Sequence, residues 1–236
     1  MSHPPPAADS RSFFEDHYWD FMRHRAAYEA RPFPVIRWWD DPVELSDVER
    51  TIADEICGCE TVLDVGAGDL RVKRKLQAAG FSGRYLTQDV SRHHDYDFAH
   101  LSEVPAGSCD AVLVLEVIEH VPLAEFWGFV ATVLKKLRPG GKLILSTPNA
   151  GNVDSIWAGD LTHVHAYRGA DLAAMLRCYG FDSKVYRVSW LSPHASLRQR
   201  LRYFARHTVT NLLQVDHARG ILLVARRSPP ATGATT

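Results

Sequence analysis

Residues 61–68 read TVLDVGAG, and Asp69-Leu70-Arg71 follows. Thr61–Val65 is a short apolar run whose one polar break, Asp64, falls near its end, the pattern of a buried strand. Gly66 and Gly68 let the backbone turn tightly and approach a ligand with no Cβ in the way. Asp69–Ala79 reads as a helix whose first free N–H groups face that turn. Strand, glycine turn and helix together make a nucleotide-type binding corner at the carboxyl end of a parallel strand. A dinucleotide fingerprint would place a third glycine where Arg71 stands, and no Gly-Lys-Ser/Thr follows for a phosphate loop.

Working outward, Arg84–Gln88 is a second strand ending at Asp89. A carboxylate there can accept both hydroxyls of a ribose and would repel a ribose phosphate, so an unphosphorylated adenosine is expected. Tyr96–Phe98 reads as a short third strand and Ala111–Leu115 as a buried fourth. Pro122–Leu137 is an amphipathic helix stopped by Arg138-Pro139-Gly140-Gly141. Lys142–Ser146 is a fifth strand, Arg168–Tyr179 a helix, and Phe181–Ser189 and Gly220–Ala225 two more strands. Between those two, Pro193–Leu213 is largely helical. It carries Leu197, Leu201 and Phe204 on one face, with Arg198, Arg202 and Arg206 beside them. That arginine row is either a solvated face or a contact for an anionic substrate. Strands alternating with helices mean an α/β protein with a parallel sheet.

Upstream, Ser10–Glu29 is an aromatic-rich helix. Pro32, Pro34 and Pro42 break regular structure. Ser46 with Glu49 is a capping box that starts a helix from Asp47 to about Cys57. The expected organisation is a disordered 1–9, a helical flank or lid over 10–59, and a main domain over 60–227. That domain carries a helical insert at about 190–216, and 228–236 is a disordered tail.

The chain has 236 residues, 46% hydrophobic and 23% charged, with a net charge of −1. Nothing in that balance favours nucleic acid or a membrane surface. The longest apolar run is too short to span a bilayer, and the first residues lack the apolar core of a signal peptide. Four cysteines form no C-x-x-C pair and read as reduced thiols of a cytoplasmic protein.

An ordered set of motifs now carries a resemblance. Val62-Leu63-Asp64-Val65-Gly66-Ala67-Gly68 is followed by Gln88-Asp89-Val90-Ser91. Cys109-Asp110 leads to Glu116-Val117-Ile118-Glu119-His120-Val121. Leu137-Arg138-Pro139-Gly140-Gly141-Lys142 and Ser146-Thr147-Pro148-Asn149 come next, then the helix that ends before Gly180-Phe181. Over about residues 60–190 the chain resembles the class I S-adenosylmethionine-dependent methyltransferases, and within them the ubiquinone-pathway and sugar-type small-molecule O-methyltransferases. The resemblance implies a Rossmann-like, seven-stranded, mostly parallel sheet with helices on both faces and an antiparallel last strand. It implies S-adenosyl-L-methionine as cofactor, with Gly66, Ala67 and Gly68 along its methionine and ribose. Asp64 would lie beneath that loop, Asp89 on the ribose hydroxyls, Asp97 and Phe98 near adenine, and Leu115 and Glu116 at the methionine end. The chain departs from the family at Leu70, where a third glycine is common, so an altered turn is expected.

Glu116, Glu119 and His120 are spaced to share a helical face, with His163 and His165 later in the chain. Two carboxylates and one or two imidazoles suit magnesium or manganese. Glu116, Glu119, His120 and His163 are therefore candidate metal ligands. In a second reading His120 or His163 is a general base without metal, beside Glu116. In a third, Glu119 and His120 only cap and fill the loop. With Thr147-Pro148-Asn149 and Asn152 the pattern also resembles metal-dependent RNA 2′-O-methyltransferases, although the net charge argues against a nucleic-acid partner. The leading expectation is O-methylation of a small molecule; a non-catalytic cofactor-binding or partner-binding module is the third alternative.

Overall fold

The computed structural model describes residues 9–30, 33–153, 156–213 and 216–227. The expected disordered segments lie almost wholly outside these residues. Seven strands form one sheet in the order β1-β6-β7-β5-β4-β2-β3. They are β1 (Val35–Trp38), β2 (Thr61–Val65), β3 (Arg84–Gln88), β4 (Cys109–Leu115), β5 (Leu137–Pro148), β6 (Phe181–Trp190) and β7 (Gly220–Arg227). The helices are α1 (Ser10–Glu29), α2 (Asp47–Ile56), α3 (Arg71–Ala78), α4 (Leu123–Lys136), α5 (Gly169–Cys178) and α6 (Leu197–Leu213). Only β7 runs antiparallel, against both β5 and β6. The expected sheet, with its reversed last strand, is the one observed.

Two strand assignments change. Tyr96–Phe98 is not a strand; Phe98 makes only an isolated parallel bridge to Gln88. A parallel crossover takes a dozen or more residues, and too few separate Gln88 from Phe98. The seventh strand is instead Val35–Trp38, within the stretch where prolines were expected to exclude regular structure. It pairs in parallel with β6, Val35 beside Arg187 and Trp38 beside Trp190. Pro34 and Pro42 flank this edge strand without entering it, and Pro32 lies outside the described residues.

Each face of the sheet has its own core. On one face, α1, α4 and α5 bury Phe13, Trp127 and Leu176 against Leu63, Val112 and Leu223. Phe13 is fully buried and stacks on Trp127 at 4.6 Å, which pins α1 to the domain. On the other face, α2 and α3 bury Ile52, Ile56 and Leu76 against Val62, Leu113 and Ile144. The α2 capping box is complete: Ser46 Oγ accepts the Glu49 N–H, and Glu49 Oε2 accepts the Ser46 N–H. Glu49 also takes Lys75 Nζ at 2.7 Å, a buried pair that ties α3 to α2. Removing either partner would strand a charge in the core, at a cost of about 3–5 kcal/mol.

Candidate functional site

The glycine corner is closed by its own hydrogen bonds. The Gly66 and Ala67 N–H groups donate to the Gln88 carbonyl at 2.8 and 3.1 Å. The Gly68 N–H donates to Asp89 Oδ2 at 2.9 Å, and Tyr96 Oη donates to the Gly68 carbonyl at 2.7 Å. Three successive N–H groups are thus occupied, unlike the open donor nest that cradles a phosphate. Gly66 has φ +72°, and a Cβ there would lie 2.5 Å from Val117 Cγ2. Leu70 caps α3 at φ 60°, a left-handed conformation that costs a non-glycine residue roughly 1–2 kcal/mol. The backbone therefore keeps the shape a glycine would favour at the position where the family pattern is broken.

Asp89 is half-buried and accepts the N–H groups of Gly68 and Ser91, one on each oxygen. A carboxylate has about four acceptor sites, so two remain for ribose hydroxyls. Asp64 is buried beneath the corner and accepts Tyr85 Oη at 2.8 Å. Burial, reinforced by nearby Asp89, pushes its carboxyl up to about 7. Asp97 spends a carboxylate oxygen on Thr87, accepting its N–H and its hydroxyl at 2.8 and 2.9 Å. Phe98 is half-buried against the core. Leu115 ends β4 opposite Ser146.

At Glu116 the chain leaves β4 with φ 54°, a strained value for a non-glycine residue. The expected helical turn is a short 3-10 segment, Ile118–His120. Glu116 lies outside it and reaches the cluster through the kink rather than by helical spacing. Ser146 Oγ donates to Glu116 Oε1 at 2.6 Å, and Thr147 Oγ1 donates to Glu119 Oε2 at 2.9 Å. Glu116 is solvent-accessible yet has protein around it on most sides. That desolvation, then repulsion from Glu119, pushes its carboxyl up to about 7. Burial raises Glu119 as well.

The later segment closes the cluster from above. Val164 N–H donates to the Glu119 carbonyl at 2.8 Å, which brings His163 over His120 with ring centroids 5.0 Å apart. His165 turns instead to Tyr167. His120 Nδ1 lies 3.0 Å from the Thr162 carbonyl. A carbonyl only accepts, so Nδ1 carries the hydrogen and Nε2 the lone pair. Ligand atoms of Glu119, His120 and His163 lie within 4.8 Å of one another. Among the described residues Glu119 Oε1 is buried without a hydrogen-bond partner, and His120 Nε2 faces it at 4.0 Å. An orphaned carboxylate oxygen beside two imidazoles fits a divalent cation. A donor set this rich in nitrogen suits manganese better than magnesium. Ser146, Thr147 and Thr162 aim these groups; Ser146 and Thr147 are visible in the sequence only as parts of motifs, and nothing local marks Thr162.

Comparison with known proteins places the chain. The family described as a methyltransferase domain matches residues 18–184, well over half of the sequence, so the chain belongs to that family. A ubiquinone biosynthesis O-methyltransferase of Idiomarina loihiensis is 31% identical over 156 residues, 55% of this chain and 62% of the relative. The chain thus spans less than two thirds of that relative's length. Among solved structures, a SAM-dependent methyltransferase from Archaeoglobus fulgidus matches 76% of this chain and 94% of its own, with TM-score 0.57 and 15% identity. The 4+2 cyclase SpnF matches 98% and 100%, with TM-score 0.51 and 16% identity. These two establish a shared fold, and the second is a reminder that the fold hosts other chemistry. Among the described residues, no helix is long and apolar enough to cross a membrane.

Proposed function

We propose that, within this methyltransferase family, the chain moves a methyl group from S-adenosylmethionine to a hydroxyl of a small molecule. The observation that carries the reading is the convergence of Glu119, His120 and His163, with Glu116 within electrostatic reach, at the end of β4, the strand beside the glycine corner. S-adenosylmethionine supplies a methyl already activated by the sulfonium. Gly66, Ala67 and Gly68 give its methionine and ribose a close backbone approach, and Asp89 has acceptor sites left for the ribose. Asp97 accepts from Thr87 through Oδ2 alone, so acceptor sites remain on it for the adenine amino group.

The protein's work is to align the acceptor oxygen and remove its proton. His120 Nε2 is the candidate base, held by the Thr162 carbonyl behind it. Replacing His120 by alanine is expected to lower turnover by about 10²–10⁴-fold while cofactor affinity stays unchanged. Full turnover in both His120→Ala and His163→Ala would sink the assignment.

Glu119 Oε1 favours a second reading, in which Glu119, His120 and His163 hold manganese or magnesium, with Glu116, also expected as a ligand, outside that group. Bound there, the cation would acidify a coordinated hydroxyl. Treatment with a chelator separates the two. Loss of turnover that manganese restores makes Nε2 a ligand, and unchanged turnover leaves it the base.

A further inference from the structure

A second concave site lies along the carboxyl edge of the sheet and adjoins the helix that follows the glycine corner, through Asp40 and Arg71. It is a cavity of about 670 Å³ between the ends of β1 and β6 and the inward face of α6. Trp38 and Trp190, register partners at the ends of these strands, form one wall with ring centroids 4.6 Å apart. The Arg219 guanidinium lies over the Trp190 ring at 5.1 Å.

Charge is concentrated here. The whole chain carries −1, yet four arginines line the cavity against two aspartates. Both aspartates are engaged: Asp40 pairs with Arg71 at 2.6 Å, and Asp216 accepts from Asn149 at 2.9 Å and faces Arg187 at 3.7 Å. Arg202 and Arg219 have no carboxylate partner among the described residues.

Helix α6 is turned the unusual way round. A helix covering a core points its apolar stripe inward. Here Leu197, Leu201 and Phe204 are 61–73% exposed, while Arg202 and Tyr203 line the cavity. A polar inward face makes sense over a ligand, not over a core.

The cavity borders the cofactor corner, since the Arg71 guanidinium lies over the Trp38 ring at 5.8 Å, and it shares a strand end with the reactive cluster. Asn149 holds its wall through Asp216 and the Ala218 carbonyl. Two residues earlier, Thr147 holds Glu119. Strand β6 lies two places from β5 in the sheet, about 10 Å. The two sites thus meet at the end of β5.

We propose that this cavity selects the methyl acceptor, and that the acceptor is a planar aromatic anion. Its ring lies against Trp38 and Trp190, and its carboxylate or phosphate sits on Arg202 and Arg219, whose planar forks match either group. This rests on the reading of the chain as a small-molecule methyltransferase.

The test is titration of the full chain with hydroxynaphthoate and with neutral naphthol, followed by tryptophan fluorescence. The same proteins are titrated with S-adenosylhomocysteine by calorimetry. Hydroxynaphthoate is expected to bind about ten-fold tighter than naphthol, with the difference shrinking at high salt. The double variant Arg202→Ala/Arg219→Ala should lose that preference and keep its homocysteine-cofactor affinity. Equal binding of naphthol, or undiminished naphthoate binding by the variant, overturns the proposal. If the wild type binds S-adenosylhomocysteine and not the naphthoate, acceptor selection alone fails. If it binds the naphthoate and not S-adenosylhomocysteine, the methyl-transfer reading fails while the anion site stands.

Discussion

The glycine corner and the Glu116–His163 cluster lie on neighbouring strands of one sheet and are built on opposite principles. The corner comes from two short stretches, residues 64–70 and 85–96. Its N–H groups are paired, and Asp89 braces the turn while keeping acceptor sites open. The cluster is drawn from the ends of β4 and β5 and from residues 160–165. It holds a left-handed Glu116, two carboxyls displaced upward by desolvation, and a buried oxygen with no partner. A satisfied, preorganised region is what holding a ligand requires. Strain and unpaired charge persist in a fold mainly where chemistry uses them. Left-handed strain is common to both, at Leu70 and at Glu116, and Asp64 is the exception in charge, because it belongs to the corner and still carries a raised carboxyl.

The largest effect is expected from that exception. Asp64 titrates near 3.8 when unfolded and at about 7 in the fold. Between these values the folded chain holds a proton that the unfolded chain has lost, so stability falls as pH rises from about 4 to 7. The contribution is up to about 4 kcal/mol. Urea titrations across this range should show the decline, and Asp64→Asn should reduce it to the part that the raised Glu116 and Glu119 carboxyls contribute. An unchanged slope would mean that Asp64 is as settled as the rest of the corner.

Gly66→Ala comes next. It places a Cβ 2.5 Å from Val117 Cγ2 at a positive φ, and should cost about 3 kcal/mol in stability together with most cofactor binding. Thermal melts and calorimetry with S-adenosylhomocysteine measure both. Retention of both would show that the corner is more pliable than its bonding suggests. Asp89→Ala should weaken cofactor binding about ten-fold, the worth of one charge-assisted contact, and leave the pH dependence of turnover alone. Equal affinity would remove the ribose role. The smallest effect is Leu70→Gly, which relieves a left-handed leucine and should stabilise by about 1 kcal/mol. A loss of stability would mean that the Leu70 side chain contributes more than its backbone costs.

The corner was more legible in the sequence than the cluster, for the same reason that it is better satisfied. Thr61–Val65 and Arg84–Gln88 have the bounds expected of them, and Ser46 with Glu49 makes both bonds of its box. In each case the determining residues are sequence neighbours. Val35–Trp38 escaped because its pairing partner lies about 150 residues away and nothing local separates it from the prolines beside it. The converse error at Tyr96–Phe98 came from treating an extended triplet as a strand without counting the residues needed to cross over. At the cluster the residue types were legible and their meeting was not. His163 reaches His120 only because Val164 bonds the Glu119 carbonyl, and the lone pair on Nε2 exists because Thr162 lies behind the ring.

By itself, then, the sequence determined the α/β architecture, the turn that replaces a dinucleotide fingerprint, and the inventory of acids and imidazoles. Period, capping and glycine spacing act within a few residues of chain, and those are readable in one dimension. Only the tertiary structure decided which carboxyl is buried, which oxygen lacks a partner, and that Trp38, Trp190, Arg202 and Arg219 line one cavity. Desolvation and convergence depend on segments far apart in the chain, brought together when the sheet buries its two faces.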